Sequence, residues 1–385
     1  MLIPRNHGAP SRRALLGGAG ALAVLPLTVA CQKSAARKAT SLPEDQPSSP
    51  EVRASATNSP AAGIRRTDFP IRALGITWAG PQSGIEVRFY SKSGTPSRWQ
   101  KVKAGCPCGP GTGNPARARP LSRALAPGNG GYAYEVQAPS SVRILSVVAI
   151  DPDSSRSLPD VAPSIDASPK ESSAQEVSFP PAGLVSRSDW GADESKRFAA
   201  DGKESTPLVF APAEILTVHH TVTVNDDPDP AATVRTIYEM HTKGNDWGDI
   251  GYHFLVDQAG RMYEGRYSGA KGAPGHNSVG EVVTAAHTLD ANTGNIGIAL
   301  LGDFTDREPP LPMRHAVTQL LASLAAKHGL DPVGTVVYRG AGRSAERSLP
   351  AISGHRDWLS TECPGAQTYR TLPKLREEAA KLIVP

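Results

Sequence analysis

Two stretches that cannot bury a core divide this chain. From Gln32 to about Arg66 it is rich in Ser, Ala, Pro and charge with no apolar period, and from about Asp151 to Pro180 Ser, Pro and Asp dominate again. Segments of that composition hide too little apolar surface to offset the entropy of ordering them, so both read as linkers. The 385 residues then divide into a leader (1–31), a linker (32–66), a folded unit over 67–150, a second linker (151–180) and a folded unit over 181–385. With 37 Gly and 35 Pro, long connections are expected rather than a helical bundle, and a hydrophobic fraction of 39% still supplies a core for each unit.

Within the leader, Arg12 and Arg13 directly precede an uncharged run, Ala14 to Ala30, which Pro26 interrupts. A membrane span needs about 20 apolar residues, and this run has 17. It reads as the apolar region of an export signal of the twin-arginine type. Leu27-Thr28-Val29-Ala30-Cys31 resembles a bacterial lipoprotein box in all but Thr28. Cys31 is therefore the candidate for lipidation, with ordinary cleavage after Ala30 as the alternative. The expectation is an extracytoplasmic protein, tethered at the cell surface or secreted, that meets a membrane only through an N-terminal lipid. Arg5, Arg12 and Arg13 carry three of the four net positive charges, so 4 − 3 leaves about +1 elsewhere. Bulk charge gives no reason to expect nucleic-acid binding. Four cysteines in so long a chain exclude a disulfide-built scaffold.

Residues 67–150 alternate. Ile85, Val87 and Phe89 interleave with Glu86, Arg88 and Tyr90, and the period recurs at Tyr132, Tyr134 and Val136 and at Val142, Ile144 and Val148. Short half-buried strands between Gly, Pro and Ser clusters predict a small β-sandwich. It holds no catalytic constellation. Cys106-Pro107-Cys108 is either a metal or redox pair, or a pair of loop thiols or a local disulfide; a lone Cys-x-Cys lacks the second pair of a zinc ribbon.

Residues 181–385 mix strands and helices. Ile215 to His219 and Ile296 to Leu301 are short apolar runs suited to buried strands. Tyr252–Val256 and Arg261–Glu264 flank Asp257-Gln258-Ala259-Gly260 as a hairpin. Val234, Ile237, Tyr238 and His241 mark one helix, Val317 to His328 a second ended by Gly329, and a last helix is expected from near Pro373 to Leu382. The sum is an α/β unit with a mixed central β-sheet flanked by helices.

Its chemistry concentrates in Gly354-His355-Arg356-Asp357-Trp358-Leu359-Ser360-Thr361-Glu362-Cys363-Pro364-Gly365. His355 and Cys363 are both good zinc ligands on one loop, and His219, ending the first strand, is the natural third. Such spacing alone fits a structural turn equally well. His220 is expected to point away from its neighbour, since adjacent strand residues face opposite sides.

Six strings in order carry a resemblance: Ser186-Arg187-Ser188-Asp189-Trp190-Gly191-Ala192, Val218-His219-His220-Thr221, Asp249-Ile250-Gly251-Tyr252-His253-Phe254, Tyr263-Glu264-Gly265-Arg266, Asn295 to Phe304, and the His355–Cys363 string. Together, over roughly 185–370, they resemble the peptidoglycan recognition protein and zinc-dependent N-acetylmuramoyl-L-alanine amidase (type 2) family. The leader and β-rich first unit look like those of exported actinobacterial members. The resemblance implies Zn2+ held by His219, His355 and Cys363, with Tyr252 and Thr361 catalytic and His287 and Asn292 lining the substrate groove. It implies peptidoglycan or muropeptides as the partner and hydrolysis of the bond between N-acetylmuramic acid and L-alanine. Binding-only relatives usually lack the Cys ligand, so Cys363 favours an enzyme over a silent recognition module. The long segment Ser268–Thr284 departs from the family pattern, so stem-peptide preference does not transfer.

Overall fold

The computed structural model describes residues 53–58, 63–81, 83–102, 121–125, 130–152, 177–342 and 345–383. The leader with Arg12, Arg13 and Cys31 lies outside them, as does the Cys106/Cys108 pair.

Eight strands build the first unit: β1 (Arg53–Asn58), β2 (Arg65–Ile71), β3 (Ala73–Ala79), β4 (Glu86–Tyr90), β5 (Gln100–Lys101), β6 (Leu121–Leu125), β7 (Gly131–Gln137) and β8 (Arg143–Asp151). They form two antiparallel four-stranded sheets, β1-β8-β3-β6 and β2-β7-β4-β5. Leu74, Ile76 and Trp78 of β3 meet Val87 and Phe89 of β4 in one core, as the period of two requires. One strand appears where composition suggested linker: β1 lies wholly inside 32–66, and β2 begins there. Its sequence, RASATN, has small side chains and no apolar period. What holds it is the six-residue backbone ladder from Arg53↔Asp151 to Asn58↔Ser146, which composition does not reveal.

β8 is apolar on both sides. Val147 and Ala149 enter the sandwich core, whereas Val148 and Ile150 join Ala73 against Met240 of the second unit. Gly75 makes room for that methionine, since a Cβ there would stand 2.8 Å from Met240 Cγ. Beside it the buried Arg235 donates from Nε to the Pro152 carbonyl at 2.9 Å and from Nη1 to the Trp190 carbonyl at 2.8 Å. A buried guanidinium must find acceptors, and here it finds one on each side of the seam.

The second unit contains β9 (Leu184–Val185), α1 (Arg187–Trp190), β10 (Phe210–Ala211), β11 (Ile215–His220), α2 (Pro230–Glu239), β12 (Phe254–Val256), β13 (Met262–Glu264), β14 (Val282–Val283), β15 (Asn295–Leu300), α3 (Leu311–His328), β16 (Thr335–Tyr338), β17 (Arg347–Pro350), β18 (Ile352–Gly354) and α4 (Ala366–Leu382). Its central sheet has the order β18-β11-β15-β12-β13-β9. The first four strands of that order run parallel, while β13 returns antiparallel beside β12, so the sheet is mixed. Residues of α3 and α4 pack on one face of it, including Leu320, Leu324, Leu372 and Leu375. Val234, Ile237 and Tyr238 of α2 pack on the other, with Trp190 and Leu255. The architecture is that of an α/β unit with a mixed central sheet flanked by helices, preceded by a small β-sandwich.

Three boundaries differ from the sequence reading. α4 starts at Ala366, well before Pro373, because its buried stripe of Leu372, Leu375 and Ala379 runs straight through the proline. α2 passes at Met240 into one π-helical turn, Met240–Gly244, instead of continuing as α-helix. Val177 and Phe179, inside the stretch read as linker, pack on the main core, Phe179 edge-on to Phe254 with centroids 5.8 Å apart.

Candidate metal centre

Alternation along the parallel strands sorts their side chains. Leu216, Val218, Ile296, Ile298, Leu300 and Ile352 enter the core beneath α3 and α4. The residues between them, Thr217, His219, Asn295, Gly297 and Ser353, share the opposite face. A parallel register pairs Val218 with Gly354, so His355, the residue after β18, comes alongside His219. Their ring centroids are 4.5 Å apart. Cys363, from the loop that leads into α4, brings Sγ to 3.7 Å from His219 Nδ1 and accepts the His220 backbone N–H at 3.4 Å. One ligand atom from each of His219, His355 and Cys363 lies within 4.8 Å of the others, and all three residues are buried.

Burial governs their ionisation. It draws His355 down to about 3, with His287 and His220 adding to the effect. His219 is held well below its ordinary value for the same reason, reinforced by the surrounding histidines. Burial pushes the Cys363 thiol up to about 12, against the opposing pull of the His220 N–H. Two neutral imidazoles and a thiol form an N/S donor set of the kind zinc takes. Tetrahedral zinc, with Zn–N of about 2.0–2.1 Å and Zn–S of about 2.3 Å, spaces the two atoms by about 3.6 Å. The observed Nδ1···Sγ separation of 3.7 Å matches that edge. The residues fit the metal.

Tyr252 is buried beside the cluster, its ring 5.4 Å from that of His219. Burial, with Cys363 adding to it, raises its phenol far above the ordinary value, so it keeps its proton. Thr361 is half-buried, and its Oγ1 accepts the Cys363 N–H at 3.2 Å, bracing the ligand loop. His287 and Asn292, implied for the substrate groove, are buried close to the cluster. His287 is wholly buried behind His219, and Asn292 is 5% exposed with its Oδ1 accepting the His287 and Thr288 N–H groups at 2.8 Å each. Both side chains are turned inward, because the loop they share is closed by its own backbone and by β15.

His220 points to the other face, where its Nδ1 accepts the Phe304 N–H at 3.2 Å. His253 is packed, its two ring nitrogens taken by the Val283 carbonyl and the Gly297 N–H. Two supports escaped the sequence reading. His241 accepts the Gly251 N–H at 2.9 Å and packs on Trp247 and Tyr252; as a residue of the π-helical turn it falls out of the helical stripe assigned to it. Gly297 carries the His287 ring: a Cβ there would come within 2.4 Å of His287 Cγ. A glycine inside the apolar run Asn295–Leu300 was the available signal, since mid-strand Gly marks close approach by another group. The Arg187 guanidinium bonds Asp249, whose carboxylate also takes the Ile250 and Tyr267 N–H groups, and this fixes the segment leading to Tyr252.

Known proteins are similar to this chain over its second unit. The family described as N-acetylmuramoyl-L-alanine amidase matches residues 210–366. Peptidoglycan-recognition protein LB of Drosophila melanogaster is 30% identical over 189 residues, 48% of this chain and 66% of that protein. The N-acetylmuramoyl-L-alanine amidase of Homo sapiens is 32% identical over 190 residues, which cover 48% of this chain and 27% of the human protein. The matches thus span under two thirds of each relative's own length. Among solved structures, wild-type Drosophila PGRP-LB aligns at a TM-score of 0.36 with 28% identity, covering 49% of this chain and 91% of that one. Through its second unit the chain belongs to the peptidoglycan recognition protein and type 2 amidase family.

Proposed function

We propose that the protein is a zinc-dependent hydrolase of the amide bond between N-acetylmuramic acid and L-alanine in peptidoglycan. The observation that carries this reading is the buried His219–His355–Cys363 cluster at the ends of adjacent parallel strands, with ligand atoms within 4.8 Å. A recognition module needs no such gathering of two imidazoles and a thiol, the donor set that zinc takes.

An amide carbon is a poor electrophile and neutral water a poor nucleophile. Zinc held by His219, His355 and Cys363 would supply Lewis acidity at the carbonyl oxygen and lower the pKa of water toward 7. The chain's own groups do the rest. Tyr252, kept protonated by burial, is a hydrogen-bond donor at neutral pH and donates to the oxygen that becomes negative as the carbonyl carbon turns tetrahedral. Thr361 accepts the Cys363 N–H and can still donate its own hydroxyl proton, to orient the attacking water or assist the same oxygen. Burial of Tyr252 strengthens its interaction by lowering the local dielectric. On this reading the chain works outside the cytoplasm, in agreement with the export character of Arg12–Arg13 and the lipidation candidate Cys31.

The test is product identity. Zinc-loaded full-length protein incubated with purified sacculi should release stem peptides that begin at L-alanine, detected by mass spectrometry, and Cys363→Ala should release none. Retention on the wall without release, by protein that holds zinc, would overturn the enzymatic reading in favour of recognition.

A further inference from the structure

The bonding behind His219 has a direction that the donors and acceptors impose. His287 Nε2 lies 2.9 Å from the carbonyl oxygen of Asn295. A carbonyl only accepts, so that nitrogen carries the proton. In a neutral imidazole the other nitrogen, Nδ1, is then an acceptor, and His219 Nε2 stands 3.0 Å from it. His219 must therefore donate from Nε2, which leaves the lone pair of its Nδ1 exposed to Cys363 Sγ, 3.7 Å away.

The arrangement is braced on every side. Asn292 pins the backbone of His287 and Thr288 at 2.8 Å. The Thr288 hydroxyl adds a second donor to His287 Nδ1 at 3.0 Å. Gly297 leaves the space that the ring fills.

We propose that His287 is a positioning residue of the metal centre: it locks His219 in the Nε2–H tautomer and so reserves Nδ1 for the ion shared with His355 and Cys363. The inference rests on the metal-amidase reading given above. Outer partners of this kind orient the ligand ring and raise its basicity, and losing one typically costs about 10–100-fold in metal affinity.

The experiment uses the full chain and two readouts that need no turnover. The first is 15N NMR of the histidine rings in metal-free wild-type protein, where His219 should carry its proton on Nε2; a proton on Nδ1 would overturn the proposal without any variant having to fold. The second is the zinc dissociation constant, measured by chelator competition. It should weaken about 10–100-fold in His287→Phe, which removes the acceptor but keeps a ring, and recover in His287→Asn, whose amide oxygen can occupy the place of Nδ1. Unchanged affinity in both variants would end the positioning role and leave the metal reading intact. Failure of wild-type protein to bind zinc at all would end both.

Discussion

The β-sandwich and the α/β unit are both sheets around apolar cores, yet among the described residues only the α/β unit gathers a cluster that could hold a metal ion. In the sandwich, antiparallel strands put Leu74, Ile76 and Trp78 against Val87 and Phe89, and the described residues of that unit include no histidine. In the α/β unit, β18, β11 and β15 run parallel and finish on the same side. One strand face is spent on the core through Leu216, Val218, Ile296 and Ile298. The other face is left to polar groups that meet where the strands end, as is general for open α/β sheets. Parallel order brings His219, in β11, beside His355, the residue after β18, although the two are far apart in sequence. It also allows Trp358 to be held by Thr217 and Ser353 under the ligand loop, its Nε1 donating at 3.0 and 2.9 Å.

The sharpest way to break that contrast is Tyr252→Phe. It removes a donor from the reactive end of the α/β unit while keeping the ring, so turnover should fall about 10²–10³-fold with zinc content unchanged. A near-wild-type rate would deny Tyr252 its role.

The seam between the units comes next. Met240→Ala empties the site formed by Ala73, Val148 and Ile150. Truncating a buried methionine typically costs about 2–5 kcal/mol, which urea unfolding of the full chain will report. An unchanged midpoint would mean that the units are joined without energetic consequence.

The smallest effect is one of pH, and it too separates the units. His276 and His328 meet Nε2 to Nε2 at 2.9 Å, with Phe179 edge-on to His276 and Lys327 close by. Burial draws both down to about 4, and Lys327 adds to the effect on each. Both are neutral when folded, whereas the unfolded chain takes up protons near 6.5, so stability present above pH 6.5 is lost as pH falls toward 4. Thermal unfolding of wild type should decline over that window more steeply than that of His328→Gln. Parallel curves would remove the pair from the account.

How far each region could be read from sequence follows the same division. The inward set of β4 is legible because a period of two in Ile85, Val87 and Phe89 is a local signal. β1 is not legible, because small residues give no period and the strand exists through its ladder to β8. His219, His355 and Cys363 could be named as candidates from residue chemistry and family resemblance, but no local pattern announces that Gly354 lies opposite Val218. For His287 the resemblance gives a position, and the structure adds its surroundings. A motif assigns a position, whereas the direction of the side chain depends on Gly297, Asn295 and Asn292 around it. The early start of α4 is a case of burial overriding a local breaker, since Leu372 and Leu375 anchor the helix on both sides of Pro373.

The central claim is that His219, His355 and Cys363 form a metal site, and metal content tests it without reference to turnover. Full-length wild-type protein, dialysed against zinc and analysed by inductively coupled plasma mass spectrometry, should retain one zinc per chain. The His355→Ala and Cys363→Ser variants, checked for folding by circular dichroism, should retain none. A folded wild-type protein that leaves dialysis without zinc, or variants that keep a full equivalent, would contradict the account.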